Sequence, residues 1–167
     1  MKKFFFFFFL LFFFFNGFTQ DVNNLAIDAT VKDKEGGRLQ SAKVTLIQDG
    51  AEVNRVTTGK NGRFDLFLDF GHEYLIEIEK SGFVSKKLYI NTHNVPADEQ
   101  AWGYEFGGFI IDLFKDVQGI DYSVLEKPIG KVYYDEVISN FQYDKAYTKE
   151  IQEEVKELEK EYEAKKE

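Results

Sequence analysis

Between Leu39 and Ile90 the chain repeats one pattern, and that pattern limits it to a small β-sheet protein. The stretches S-A-K-V-T-L-I-Q-D-G, R-V-T-T-G-K-N-G-R-F-D-L-F-L and Y-L-I-E-I-E-K-S-G-F are short runs with every second residue apolar, cut at near-regular spacing by Gly, Asn and Asp. A period of two gives each run one wet and one dry face, and the breaks are turn residues, so the segments read as strands of a β-sandwich. Upstream, Leu25, Ile27, Ala29 and Val31 alternate with Ala26, Asp28, Thr30 and Lys32 as a half-buried first strand. Val44 and Leu46 point inward on a second, Asp49-Gly50 marks a hairpin, and Val53 to Thr58 forms a third. Phe64, Leu66, Leu68 and Phe70 alternate with Arg63, Asp65, Phe67 and Asp69, and Tyr74, Ile76 and Ile78 with Glu77 and Glu79. A further run from Val84 to Thr92 puts Val84, Leu88 and Ile90 on one face, giving about six strands by Thr92.

Beyond Thr92 the signals change. Asn94 to Ala101 is polar, contains Pro96 and reads as a loop. Trp102 to Phe114 carries Tyr104, Phe106, Phe109, Ile110, Ile111, Leu113 and Phe114, apolar groups on both faces of one strand, which calls for cover on both sides. Gly107-Gly108 in its middle suggests a bulge or a close backbone approach. Asp116 to Gly130 is an irregular connection, and Lys131 to Asp135 a further short strand. Asp144 or Thr148 N-caps a helix, since neither Gly nor Pro follows. Its apolar residues Ile151, Val155, Leu158 and Tyr162 repeat at four, three, four. Such a seam suits a coiled-coil partner, but short isolated helices are marginal in water, which favours a helix docked on the sandwich.

The N-terminus has the layout of a secretory signal peptide. Met1-Lys2-Lys3 is basic, Phe4 to Phe15 is an unbroken run of Phe and Leu, and Asn16 to Gln20 breaks it, with Gly17 and Thr19 small enough for a cut after Thr19. Twelve apolar residues span about 18 Å as a helix, short of the roughly 30 Å hydrocarbon core, so no transmembrane span is expected after cleavage. The expected organisation is a signal peptide at 1–19, a sandwich at 20–92, additional strands and loops packing on it at 93–143, and a charged helix at 144–167. Without Lys2 and Lys3 the chain holds 19 basic and 29 acidic groups, a net charge of −10. That balance disfavours nucleic acid and anionic membranes as partners. Cys is absent, so an exported chain of this kind is held by packing alone.

From Lys43 to Phe83 the chain resembles the carboxypeptidase regulatory-like domain, a transthyretin-like (prealbumin-like) sandwich. The residues that carry the resemblance are Ala42 before Val44 and Leu46, Thr57-Thr58 before Gly59 to Phe64, the alternating strand Phe64 to Leu68, then Tyr74, Ile76 and Ile78, and the Gly82-Phe83 turn. The match extends from Ile27 to Asn91. Two features of the family are missing: Ala29 stands where its opening Gly belongs, and Gly59-Lys60 replaces the aspartate after the Thr. The resemblance implies a mainly β, antiparallel Greek-key β-sandwich, here with a C-terminal α-helix. It also implies a non-enzymatic stability or interaction module of the kind found in exported proteins of Gram-negative bacteria.

Reactive groups are sparse. His72 and His93 are the two histidines, and Glu73, Asp98 or Glu99 could join them at a metal, but no His pair at helical spacing and no Cys partner supports a site. Ser41, Ser81, Ser85, Ser123 and Ser139 lie in no nucleophile elbow. Asp69-Phe70-Gly71 spells a kinase magnesium motif at a strand end, without the phosphate and catalytic loops that give it meaning. The ureide hydrolase that shares the transthyretin-like fold ends in a tyrosine-arginine-glycine-serine tail, whereas this chain ends in Lys165-Lys166-Glu167. Pilin sandwiches of similar build carry a Lys–Asn crosslink beside a buried acid, but alternation turns Lys32, Asn91 and Glu77 toward water. No catalytic residue, cofactor or metal ligand is therefore assigned. The expectation is an exported, non-enzymatic protein of the periplasm or cell surface whose partner is another envelope protein, with a glycan- or peptide-binding module as the alternative. The candidate contact residues are Trp102, Tyr104, Phe106 and Phe109, with Ile151, Val155, Leu158 and Tyr162.

Overall fold

The computed structural model describes residues 23–166, so the signal peptide expected at 1–19 lies outside the described residues. The described chain is a β-sandwich closed at one end by a helix. Its strands are β1 (Asn24–Asp33), β2 (Lys43–Gln48), β3 (Ala51–Thr57), β4 (Arg63–Asp69), β5 (Glu73–Glu79), β6 (Lys86–Asn91), β7 (Tyr104–Leu113), β8 (Lys131–Asp135) and β9 (Asn140–Tyr143). The helices are a single turn α1 (Ala97–Gln100) and the long α2 (Lys145–Lys165). A three-stranded sheet in the order β4-β1-β7 faces a six-stranded sheet in the order β3-β2-β5-β6-β8-β9.

Alternation builds the core as the sequence predicts. Leu25, Ile27, Ala29 and Val31 of β1 and Phe64, Leu66 and Leu68 of β4 meet Val44, Leu46, Tyr74, Ile76, Ile78, Leu88 and Ile90 of the large sheet. Every one of them is buried, and each large aliphatic contributes about 1.5–3 kcal/mol. Asp49 and Gly50 form the two-residue β2–β3 hairpin with φ of 49° and 87°, the left-handed pair that matches strand twist. Before β4, Gly62 sits at φ +72° with its Cα against the Val31 carbonyl, where a side chain would overlap backbone. β4 then crosses back from the large sheet to lie antiparallel to β1, a Greek-key return. Thr58 is buried and ties the turns together: its hydroxyl donates to the Leu39 carbonyl at 2.5 Å and accepts from the Ala42 N–H at 2.9 Å.

Two pairings depart from the antiparallel expectation. β7 runs parallel to β1, and β8 parallel to β6. Parallel neighbours need a crossover, and here β7 itself is the crossover, since the chain leaves β6, passes through the small sheet and returns as β8. The strands after Thr92 thus belong to the same two sheets. β9, which the sequence did not signal, closes the large sheet through four pairs with β8. The loop expected at Asn94 to Ala101 contains α1, begun at Pro96. β3 overhangs the smaller sheet, so only Val56 along it is partly buried. Glu77 pairs with Lys87 at 3.8 Å on the large sheet, and Asn91 accepts from the His93 N–H there, while Lys32 belongs to the small sheet.

Helix α2 docks. Asp144 is its N-cap, accepting from the Tyr147 N–H at 3.0 Å. Ile151, Leu158 and Tyr162 are buried, and Val155 is half-buried, so these four predicted contact residues form no free surface. Leu158 and Tyr162 build a second apolar cluster with Phe114 and Leu125 at the end of the sandwich, with the Phe114 and Tyr162 rings 5.1 Å apart and edge-to-face. Around this plug, Lys34 pairs with Glu159, Lys127 with Glu154 at 2.9 Å, and Lys165 donates to the Gly119 carbonyl at 2.6 Å. Exposed pairs contribute little, so the apolar plug holds the helix.

Lys86 sits at the joint of the two clusters, on the inward face of β6 opposite Ile78 and 6% exposed. Its Nζ lies 4.7 Å from the centre of the Phe114 ring, which Lys34 also approaches at 5.3 Å. Burial, with the nearby Lys34 charge, pushes the Lys86 ammonium down to about 8 from 10.5, against the opposing pull of Asp112 and Glu159.

Two outcomes are expected. Leu158→Ala should cost about 2–4 kcal/mol, read from the urea midpoint. For Lys86 the folded state disfavours the proton that the unfolded chain keeps, so the penalty is complete below pH 8 and fades as the pH rises to 10.5. Lys86→Met should therefore raise stability at pH 7 by roughly 1–3 kcal/mol and flatten the alkaline rise expected of the parent.

Candidate interaction surface

The candidate surface is built around β7, whose sequence Y-E-F-G-G-F-I-I-D-L changes phase halfway. Its register with β1 slips between Asp28 and Ala29, where Gly107 pairs with Asp28 and Phe109 with Ala29. Before the slip Tyr104 and Phe106 face the core, and after it Phe109, Ile111 and Leu113 do. The strand thus has one apolar face interrupted by a bulge, not the two predicted, and Ile110 is left outside, 54% exposed. Trp102 precedes the strand instead of lying in it and is 82% exposed.

Asp28 fixes the bulge. Its Oδ1 accepts from the Gly108 N–H at 3.1 Å and its Oδ2 from Arg63 on β4 at 3.1 Å. Gly108 needs φ +76°, and a side chain on Gly107 would overlap the Asp28 carboxylate. The double glycine is therefore a backbone requirement of this contact.

Tyr104 is half-buried in a polar clasp between the sheets. Its hydroxyl and that of Tyr134 on β8 both donate to one oxygen of Glu99 at 2.5 Å, with Glu99 delivered by α1. The Tyr104 bond, then that from Tyr134, holds the Glu99 carboxyl below the usual range, while burial and then the Glu99 bond push Tyr104 up. Phe70 and Phe141 meet Tyr104 edge-on at 6.1 and 5.5 Å. Phe106 and Phe109 are half-buried at the rim, Phe106 packing on Tyr143 at 5.2 Å. These three rings belong mainly to the core.

The uncovered surface is the outward face of the small sheet. Across it run Asp69 beside Asn24, Phe67 beside Ala26 and Glu105, Asp65 beside Asp28 and Gly107, and Arg63 beside Thr30 and Ile110. Phe67 is 65% exposed. Sequence reasoning placed Phe67 outward by alternation without counting an outward aromatic as a signal, and although it expected a bulge at Gly107-Gly108, which β7 carries, it did not draw the phase change that leaves Ile110 outside. Val137 and Ile138, both exposed, form a second apolar spot in the β8–β9 turn.

The other candidates stay apart. His72 Nδ1 lies 2.7 Å from Asp49, whose carboxyl is held low chiefly by the Glu73 N–H. Together they fasten the β2–β3 turn to β5. Glu99 is committed to the tyrosines, and no group of three His, Asp or Glu among the described residues is placed to hold a metal. Asp69 is the last residue of β4, and Phe70 and Gly71 form the turn that follows it.

No family model matches this chain, and no curated protein does. Solved structures resemble part of the chain at low identity. The TIE protein of Bacillus anthracis is 20% identical over 55% of this chain and 17% of its own, with a TM-score of 0.43. The 3-chlorocatechol 1,2-dioxygenase of Rhodococcus opacus is 16% identical over 56% and 60%, with a TM-score of 0.42. The full-length major pilin SpaD of Corynebacterium diphtheriae is 17% identical over 57% and 31%, with a TM-score of 0.38. This chain thus spans less than two thirds of each, and the resemblance to the carboxypeptidase regulatory-like domain rests on its motifs alone.

The Asp28 contact makes a testable coupling. Gly107→Ala should destabilise the protein by about 1–3 kcal/mol, because the displaced carboxylate loses its bonds. The same change in an Asp28→Ala background should cost clearly less, which a double-mutant cycle of denaturation midpoints measures.

Proposed function

We propose that this is an exported, non-enzymatic β-sandwich protein that works by protein–protein contact, as an accessory component of a bacterial envelope or surface assembly. The observation that carries the reading is the outward face of the small sheet, where Phe67 and Ile110 stay largely exposed although α2 docks and buries its own apolar stripe. Large apolar groups held outward on a rigid sheet are features of contact surfaces. The leader-like N-terminus supports the periplasm or cell surface as the location. No helix among the described residues is long and apolar enough to cross a membrane. A glycan-binding module is a second reading, favoured by the open ring of Trp102.

A photo-crosslinking side chain at position 67 or 110 is expected to capture one discrete envelope protein in cells. The same group at position 160, on the solvent side of α2, should not capture it. Absence of an adduct at both 67 and 110 would overturn the contact reading. Quenching of Trp102 fluorescence by soluble cell-wall glycan, with no protein adduct, would favour the second.

A further inference from the structure

We infer that the outward face of the small sheet receives an extended basic segment of its partner, in which an apolar side chain is bracketed by Lys or Arg. This rests on the contact reading above and adds the chemistry of the partner. On β4, Phe67 stands between Asp65 and Asp69, two residues away on either side. On β7, Ile110 is followed at the same spacing by Asp112, and across the bulge the neighbouring strand supplies Asp28. Strand geometry puts such brackets about 7 Å from the apolar group. Between the two columns lie Ala26, Asp28 and Thr30 of β1, and Gly107 and Gly108 leave β7 without side chains beside them, so the middle of the face is shallow.

The charges are out of balance on this face, where Asp28, Asp65, Asp69, Glu105 and Asp112 outnumber Arg63 and Lys32, the latter directly opposite Asp112. Asp28 and Asp65 lie directly opposite each other on β1 and β4, an arrangement that destabilises a sheet. Arg63 relieves Asp28 at 3.1 Å. Among the described residues, no Lys or Arg forms an ion pair with Asp65, Asp69, Glu105 or Asp112. Local rules are broken in this way where a partner supplies the missing charge. A second copy docking by the same face would bring two acidic surfaces together, which disfavours self-pairing there.

The test uses the purified protein and two nine-residue probes, one alternating Lys and Val, the other Glu and Val. The Lys probe should bind about tenfold or more tightly, and more weakly as salt is raised. Its amide shifts in nitrogen-15 spectra should map to β1, β4 and β7. Asp65→Lys with Phe67→Ser should weaken it by about tenfold, while Glu153→Lys with Glu157→Lys on α2 should change it less than about twofold. Shifts centred on α2 or β3, equal binding of the Glu probe, or equal loss in the α2 variant would overturn the inference. If the Lys probe fails while adducts at 67 and 110 still form, only the basic partner is refuted. If it binds as described and no adduct forms, the face keeps its chemistry and the envelope partner is refuted.

Discussion

A sheet of three strands has one interior strand, and in this protein that strand is β1. Leu25, Ile27, Ala29 and Val31 are each at most 1% exposed, and both edges of β1 are hydrogen-bonded, to β4 antiparallel and to β7 parallel. The small sheet has no other way to cohere. With no disulfide to hold an imperfect core, the apolar row of β1 sets where β4 and β7 lie, and through them the cover over β2, β5 and β6. Its outward row matters equally, because Asp28 fixes the bulge that turns the second half of β7 inward.

That bulge links the core to the outer surface. One inserted residue inverts the phase of a strand, since side chains alternate with a period of two. Without it Phe109, Ile111 and Leu113 would face water. With it they are inside, and Ile110 alone of that run is left out. The exposed apolar group is thus a consequence of how the sheet solves its own packing, and the acidic side chains around it keep the face soluble.

The sequence disclosed the strands where alternation was uninterrupted. β1, β4 and β5 are plain in the spacing of Leu25 to Val31, Phe64 to Leu68 and Tyr74 to Ile78, and the Asp49-Gly50 turn fixed a hairpin. What stayed hidden depends on distant partners. Direction of pairing is not written in an alternating run, so the parallel β1–β7 and β6–β8 pairs were invisible. β9 is too short, with Phe141 its one fully buried residue, to stand out from a turn. In β7 the phase change passed for two apolar faces. The helical seam was legible but its target was not, because Phe114 and Leu125 come from segments read as a strand end and an irregular connection. Lys86 fell between Val84 and Leu88 on the inward face, and its charge kept it from being counted as core.

Lys86 also gives the molecule an internal clock. It is the one buried lysine among the described residues, and its amine lies on the Phe114 ring, which packs in turn on Tyr162 of α2. Acylating reagents consume surface lysines at once but reach this one only when the end of the sandwich opens. Its slow modification, followed by mass spectrometry, would report how often the helix lifts, separating that local excursion from global unfolding.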